Sequence, residues 1–204
     1  MPIDPKDAFL HVIYDHRYLA LAAAGWCKYG PAGSSEAQRE AKRFLPGIST
    51  PLLESLLMHG RSLIDFYTAV PSSRTPRTDI LLRDFDGIAI DPQLSTKLRD
   101  FKKPVEVHLL HLTSWRDTAF RNAQGRSDHN RPTWDTEATT LVGLILDALQ
   151  DVANRATTSG SKWEQPFTEL HTATSCLFRL STHPWPKQLA EKSDVTAYLM
   201  SFGL

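Results

Sequence analysis

The stretch Leu52 to Tyr67 does most to limit what this chain can fold into. Leu52, Leu53, Leu56, Leu57, Gly60, Leu63, Ile64 and Tyr67 recur at i, i+3, i+4 and i+7, the period of a helix that buries one side. Ser49-Thr50-Pro51 supplies a cap and a first turn, and Glu54 sits near the positive end of the helix. Pro71 closes it. Such a helix must bury its stripe against other elements, and the sequence provides three more of the same kind. Asp4-Pro5 opens a run carrying Ala8, Leu10, Val12 and Ile13 through Trp26. Asp91-Pro92 opens a polar helix that leads, past Pro104, into Val105 to Asp117. Thr133 caps a segment from Trp134 whose stripe is Leu141, Leu144, Ile145, Ala148, Leu149 and Val152. Ile88-Ala89-Ile90 is too short to establish a sheet. The expected fold is an all-α helical bundle with about four core helices, roughly residues 7–29, 50–70, 93–120 and 134–156.

Shorter pieces fill the gaps. Gly30-Pro31-Ala32-Gly33 and Pro46-Gly47 bracket a short polar helix from Ser34 to Phe44, and Thr78-Asp79 caps another through Phe85. Asn122 to Pro132 reads as an exposed loop and Thr157 to Lys162 as a linker. Beyond it come a helix from Pro166 to Leu180, a turn at His183-Pro184-Trp185-Pro186 and a last helix near Ser193 to Phe202. The expected division is a bundle domain over 1–158 with a C-terminal helical extension, 159–204, packed on it.

Lys+Arg and Asp+Glu number 23 each, so the net charge is zero. That balance gives no global field for nucleic acid or an anionic membrane, and little repulsion between copies, which permits a homodimer. Cys27 and Cys176 lie in no metal or redox spacing and read as reduced thiols of a cytoplasmic protein. The N-terminus carries Asp4, Lys6 and Asp7 without an apolar core, so neither a signal peptide nor a membrane partner is expected. No cofactor is expected.

Chemistry is sought between the helix of Val105 to Asp117 and that of Leu52 to Val70. His108 and His111 stand three apart, with Arg116 beyond them, and the facing helix carries His59, Arg61 and Asp65. His59, Asp65, His108 and His111 would suit a metal-held water in a hydrolase, although the HExxH pattern is absent. Arg61 and Asp65 are four apart and can pair. A calcium loop fails, because aligning Gly87 to its invariant glycine puts Leu82 at the first position and Gln93 at the twelfth. There is no GxSxG and no glycine-rich phosphate loop. Arg116, Arg121, Arg126 and Arg131, near Trp115 and Trp134, can touch phosphates and stack bases.

Three segments, Leu57 to Tyr67, Thr78 to Phe85 and His111 to Arg116, together resemble helical bacterial proteins similar in layout to the HEPN superfamily. HEPN domains are four-helix units associated with nucleotide binding, RNA cleavage and defence or toxin systems. The resemblance covers about residues 50–120, with the helix from Trp134 as a fourth member, and does not reach the last 40 or so residues. Catalytic HEPN domains carry an arginine and a histidine on one helix with four to six residues between them. No arginine here has that partner; Lys103 to His108 has the spacing without the guanidinium, and Pro104 intervenes. The resemblance therefore implies a non-catalytic interaction or nucleotide/RNA-binding module, dimeric as an option, with Arg61, Asp65, Arg121, Arg126 and Arg131 as binding residues. The alternative is an enzyme: a diverged ribonuclease using His108, His111 and Arg116, or the histidine-metal hydrolase. Against both stands a structural account in which these polar groups bond to one another across packed helices.

Overall fold

The computed structural model describes residues 4–29, 49–69, 80–121 and 134–182; the side chains of 27–29, 49–50, 108, 110–121, 135–136 and 179–182 are outside that description. The expected all-α bundle is observed, with five helices and no strand among the described residues: α1 (Pro5–Tyr29), α2 (Ser49–Thr68), α3 (Pro92–Arg121), α4 (Asp135–Ser159) and α5 (Glu164–Thr182). A 3-10 turn, Leu82–Asp84, lies between α2 and α3. No described helix is long and apolar enough to cross a membrane. The expected short helix from Ser34, the loop from Asn122 to Pro132, the turn at His183 and the last helix near Ser193 lie outside the described residues.

The helix starts follow the expected chemistry. Asp4 accepts at Oδ1 from the Lys6 amide at 2.8 Å, and Asp91 does the same for the Gln93 amide at 2.8 Å and the Leu94 amide at 3.2 Å. Each is an Asp cap followed by proline, whose missing N–H costs nothing at the first helical position. Pro104 sits inside α3 rather than ending it; its side chain is exposed. α4 departs from expectation at its start. Trp134 is not the first helical residue but the one before it, left-handed at φ 40, and its side chain is 2% exposed. Burial of the indole in the core offsets the cost of that backbone. At the other end Gly160 has φ 62, and the Ser161 and Gly160 amides donate to the carbonyls of Ala156 and Thr157, a Schellman stop.

Residue pairings give the topology. Gly25 lies against Leu52 while His16 reaches Tyr67, so α1 and α2 are antiparallel. Lys102 meets Asp65 and Arg61 meets Glu106, so α2 and α3 are antiparallel too. Asp91 at the start of α3 bonds Asp151 near the end of α4, and the short turn at Gly160 reverses the chain into α5. The centre is α4, which touches the four other helices through Ala138, Leu141, Val142, Ile145, Ala148, Leu149, Val152, Ala153 and Ala156, all buried.

α5 packs on the other helices through the core itself: Trp163, Phe167 and Leu170 belong to the same core cluster as α1, α2 and α4. Phe85, in the connection after the 3-10 turn, joins them, with ring centroids 4.8 Å from Trp163, 5.7 Å from Phe167 and 5.8 Å from Phe9.

Candidate functional site

α2 and α3 pack against each other, and four of the described polar groups pair across their seam. Lys102 Nζ lies 2.5 Å from Asp65 Oδ1, and Arg61 Nε lies 3.3 Å from Glu106 Oε1. Lys102 also stands 4.0 Å from Glu106. The expected pairing of Arg61 with Asp65 along one helix is replaced by one pair from each residue to α3. The four groups are a third to a half exposed, so water screens them and each pair stabilises by about 1 kcal/mol or less.

His59 lies elsewhere. It turns from α2 toward α1, where its Nδ1 donates to Asp15 Oδ1 at 2.8 Å. Ser62 donates to the other carboxylate oxygen, Oδ2, at 2.5 Å. Burial alone would raise the Asp15 carboxyl, but the hydrogen bonds from His59 and Ser62, helped by nearby imidazole charge, hold it below its usual value. Two tyrosines of α1 flank the imidazole: Tyr18 stacks on it at 5.4 Å and Tyr14 meets it edge to face at 5.5 Å. The two tyrosine rings are themselves 4.3 Å apart.

An imidazole oriented by a carboxylate is part of what general acid–base chemistry requires. Among the described residues the remaining part is not assembled. Ser62 bonds Asp15, so the serine sits at the wrong end of the pair for histidine to take its proton. His59 and Asp65, offered together as metal ligands, face different helices, and no cluster of three or more His, Cys, Asp or Glu that could hold a metal occurs among the described residues. His108, His111, Arg116 and Arg121 lie on α3, with side chains outside the description, and Arg126 and Arg131 lie outside the described residues. Cys176 is a free, half-buried thiol.

A second buried polar contact ties the same helices. His16 is fully buried, with Nδ1 2.8 Å from the Val12 carbonyl and Nε2 2.8 Å from the Tyr67 hydroxyl. A carbonyl only accepts, so Nδ1 carries the hydrogen and Nε2 accepts from Tyr67. Burial lowers the imidazole to about 4 and raises the Tyr67 phenol well above its usual value.

Asp15, Ser62, Tyr14 and Tyr18 were not among the residues singled out in the sequence. One signal did point toward the tyrosines. On α1, Leu10, Tyr14, Tyr18 and Leu21 follow one another at spacings of four, four and three, a second apolar row on the side of the helix opposite Val12, Leu19 and Ala23. All four are exposed, as is Met58 on α2 beside His59. A shallow polar depression over the first turns of α5, lined by Lys162, Glu164, Gln165 and Thr168 among others, shares no residue with this region.

No protein-family model, curated protein or solved structure matches this chain.

Proposed function

We propose that the protein is a non-catalytic helical interaction module that works through the outer face of α1. The observation that carries this reading is the exposed row Leu10, Tyr14, Tyr18 and Leu21, with Met58, the residue before His59 on α2, exposed as well. The largest apolar patch on a monomer surface, typically a few hundred Å², is often a contact site; tyrosines favour such sites because a rigid ring buries much area at small entropic cost. The Asp15–His59–Ser62 cluster supports the row by fixing the tyrosines against α2 rather than by presenting a nucleophile.

The test is a photo-reactive benzoylphenylalanine placed at Tyr14 in the full chain, irradiated in cells that make the protein natively. A discrete covalent adduct is expected, and none is expected from the same probe at exposed Lys97 on α3. Absence of any adduct at Tyr14, or equal labelling at Lys97, would defeat the reading.

A second reading, binding of a nucleotide or single-stranded RNA as the HEPN resemblance implies, draws on the same rings, since exposed tyrosine faces stack bases. An adduct that is nucleic acid, together with RNA binding lost in Tyr14→Ser and Tyr18→Ser, would favour it over a protein partner.

A further inference from the structure

The row on α1 has an internal symmetry that bears on what covers it. Read from either end it runs leucine, tyrosine, tyrosine, leucine, at positions 10, 14, 18 and 21. The exposures are 64%, 51%, 43% and 46% in that order, so each residue presents a comparable share of its surface. A pair of identical surfaces related by a two-fold axis requires that when residue i meets residue j of the partner, j also meets i. Two antiparallel copies of α1, with the axis crossing between Tyr14 and Tyr18, satisfy this: Leu10 meets the second copy's Leu21, and Tyr14 meets its Tyr18. A shifted pairing sets leucine against tyrosine and leaves an end of the row uncovered; a parallel pairing in register also sets like against like, but it lays the two helix dipoles side by side in the same sense, which the antiparallel pairing avoids.

Two further facts agree with a second copy as the occupant. The chain is neutral, with 23 charges of each sign, so two copies meet without net repulsion. The row and Met58 expose roughly 500 Å² of side chain, taking such side chains at ~150–250 Å² each when bare; that forms the apolar centre of a standard interface of ~800 Å² per partner, to which flanking residues add the rim. Arg17, half-buried at the edge of the row, has a stem long enough to lie along that rim with its charge in water.

We propose that the outer face of α1 is covered by a second copy of this chain, in an antiparallel helix pairing with Tyr14 and Tyr18 at its centre. This rests on the reading of α1 as a contact face and names its partner.

The experiment uses the purified full chain, with mass by light scattering and affinity by sedimentation up to about 100 µM, above the Kd of a modest interface. Wild type is expected to be dimeric. Leu10→Lys and Leu21→Glu, both at exposed positions that leave the core intact, should each weaken the dimer at least about tenfold, with unchanged melting checked on diluted monomer. Mixed together they should form a heterodimer, because the lysine of one copy then faces the glutamate of the other while the remaining Leu10–Leu21 contact stays wild type. A wild-type monomer at every concentration, a dimer indifferent to both substitutions, or a mixture that fails to recombine would overturn the proposal. In the photo-adduct experiment at Tyr14, a product of twice the chain mass supports it. A different protein, a nucleic acid, or an adduct within residues 183–204 of the same chain overturns it. A different protein would still leave α1 as a contact face, whereas no adduct at all would remove both readings.

Discussion

At the scale of single residues the most consequential group is His16. It is neutral in the folded protein because burial holds it at about 4, against a usual 6.5 in the unfolded chain. Between these values the unfolded chain takes up a proton that the folded one refuses, so acid favours unfolding. The stability is fully present above pH 6.5 and is lost as pH falls toward 4; the gap corresponds to roughly 3 kcal/mol. Asp15 acts in a lower window, since its lowered value supplies stability that is present above its usual 3.8 and is lost only below that. Melting temperature is therefore expected to fall steeply from pH 6.5 to 4.5, and the slope should flatten in His16→Gln, which has no proton to gain. An unchanged slope in that variant would remove His16 as the cause. None of these contacts was legible in the sequence. Asp15 and His59 are 44 residues apart, and His16 and Tyr67 are 51 apart, and neither periodicity nor local spacing records a pairing over such a distance. The i, i+4 rule also misled at Arg61 and Asp65, because each found a better-placed partner on α3.

At the scale of elements the sequence was more informative, because helix ends are set by local chemistry. The Asp-Pro caps of α1 and α3 involve residues within a few positions of one another, whereas α4 runs on to Ser159, into the stretch from Thr157 that the sequence suggested as a linker. The start of α4 was displaced by one residue because burying Trp134 outweighed the preference for a right-handed backbone. Packing between helices is where residue size decides. A side chain begun at Gly60 would meet Leu141 Cδ2 at 3.0 Å, and Leu141 is fully buried in the core of α4. Gly60→Val is therefore expected to destabilise by about 1–3 kcal/mol through overpacking, more than the ~1 kcal/mol at most that a better helix former than glycine returns. Chemical denaturation measures it, and a neutral or stabilising result would mean that α2 and α4 separate more easily than their contacts imply. Gly25 is the milder case, since its close neighbour, the end of Leu52, is only half-buried and can rotate.

At the scale of the whole molecule, one core cluster runs through the described helices, and α5 is part of it. The protein is accordingly expected to unfold in a single transition, with far-ultraviolet circular dichroism and tryptophan fluorescence coincident. Separate transitions would instead support the division near residue 158 that the sequence suggested. Phe85 tests the same point from the side of a connection. It is fully buried among Phe9, Phe66, Trp163 and Phe167, so Phe85→Ala is expected to cost about 3–5 kcal/mol, a large part of the margin of any domain. The sequence suggested a short helix ending at Phe85, but among the described residues only the 3-10 turn Leu82–Asp84 forms there, and a single turn carries no apolar period that could flag the residue as core.

The bond between His16 and Tyr67 also bears on how the bundle reaches one arrangement. Leucine and alanine rows can mesh at several offsets, each burying a similar area, so apolar contact alone discriminates weakly between neighbouring alignments of α1 and α2. Sliding one helix past the other by a single turn, about 5.4 Å, would strand both a ring nitrogen and a phenol in a dry interior at about 1–3 kcal/mol each. The pair thus works as an alignment pin, and its value lies less in the strength of one hydrogen bond than in the competing packings that it makes unfavourable.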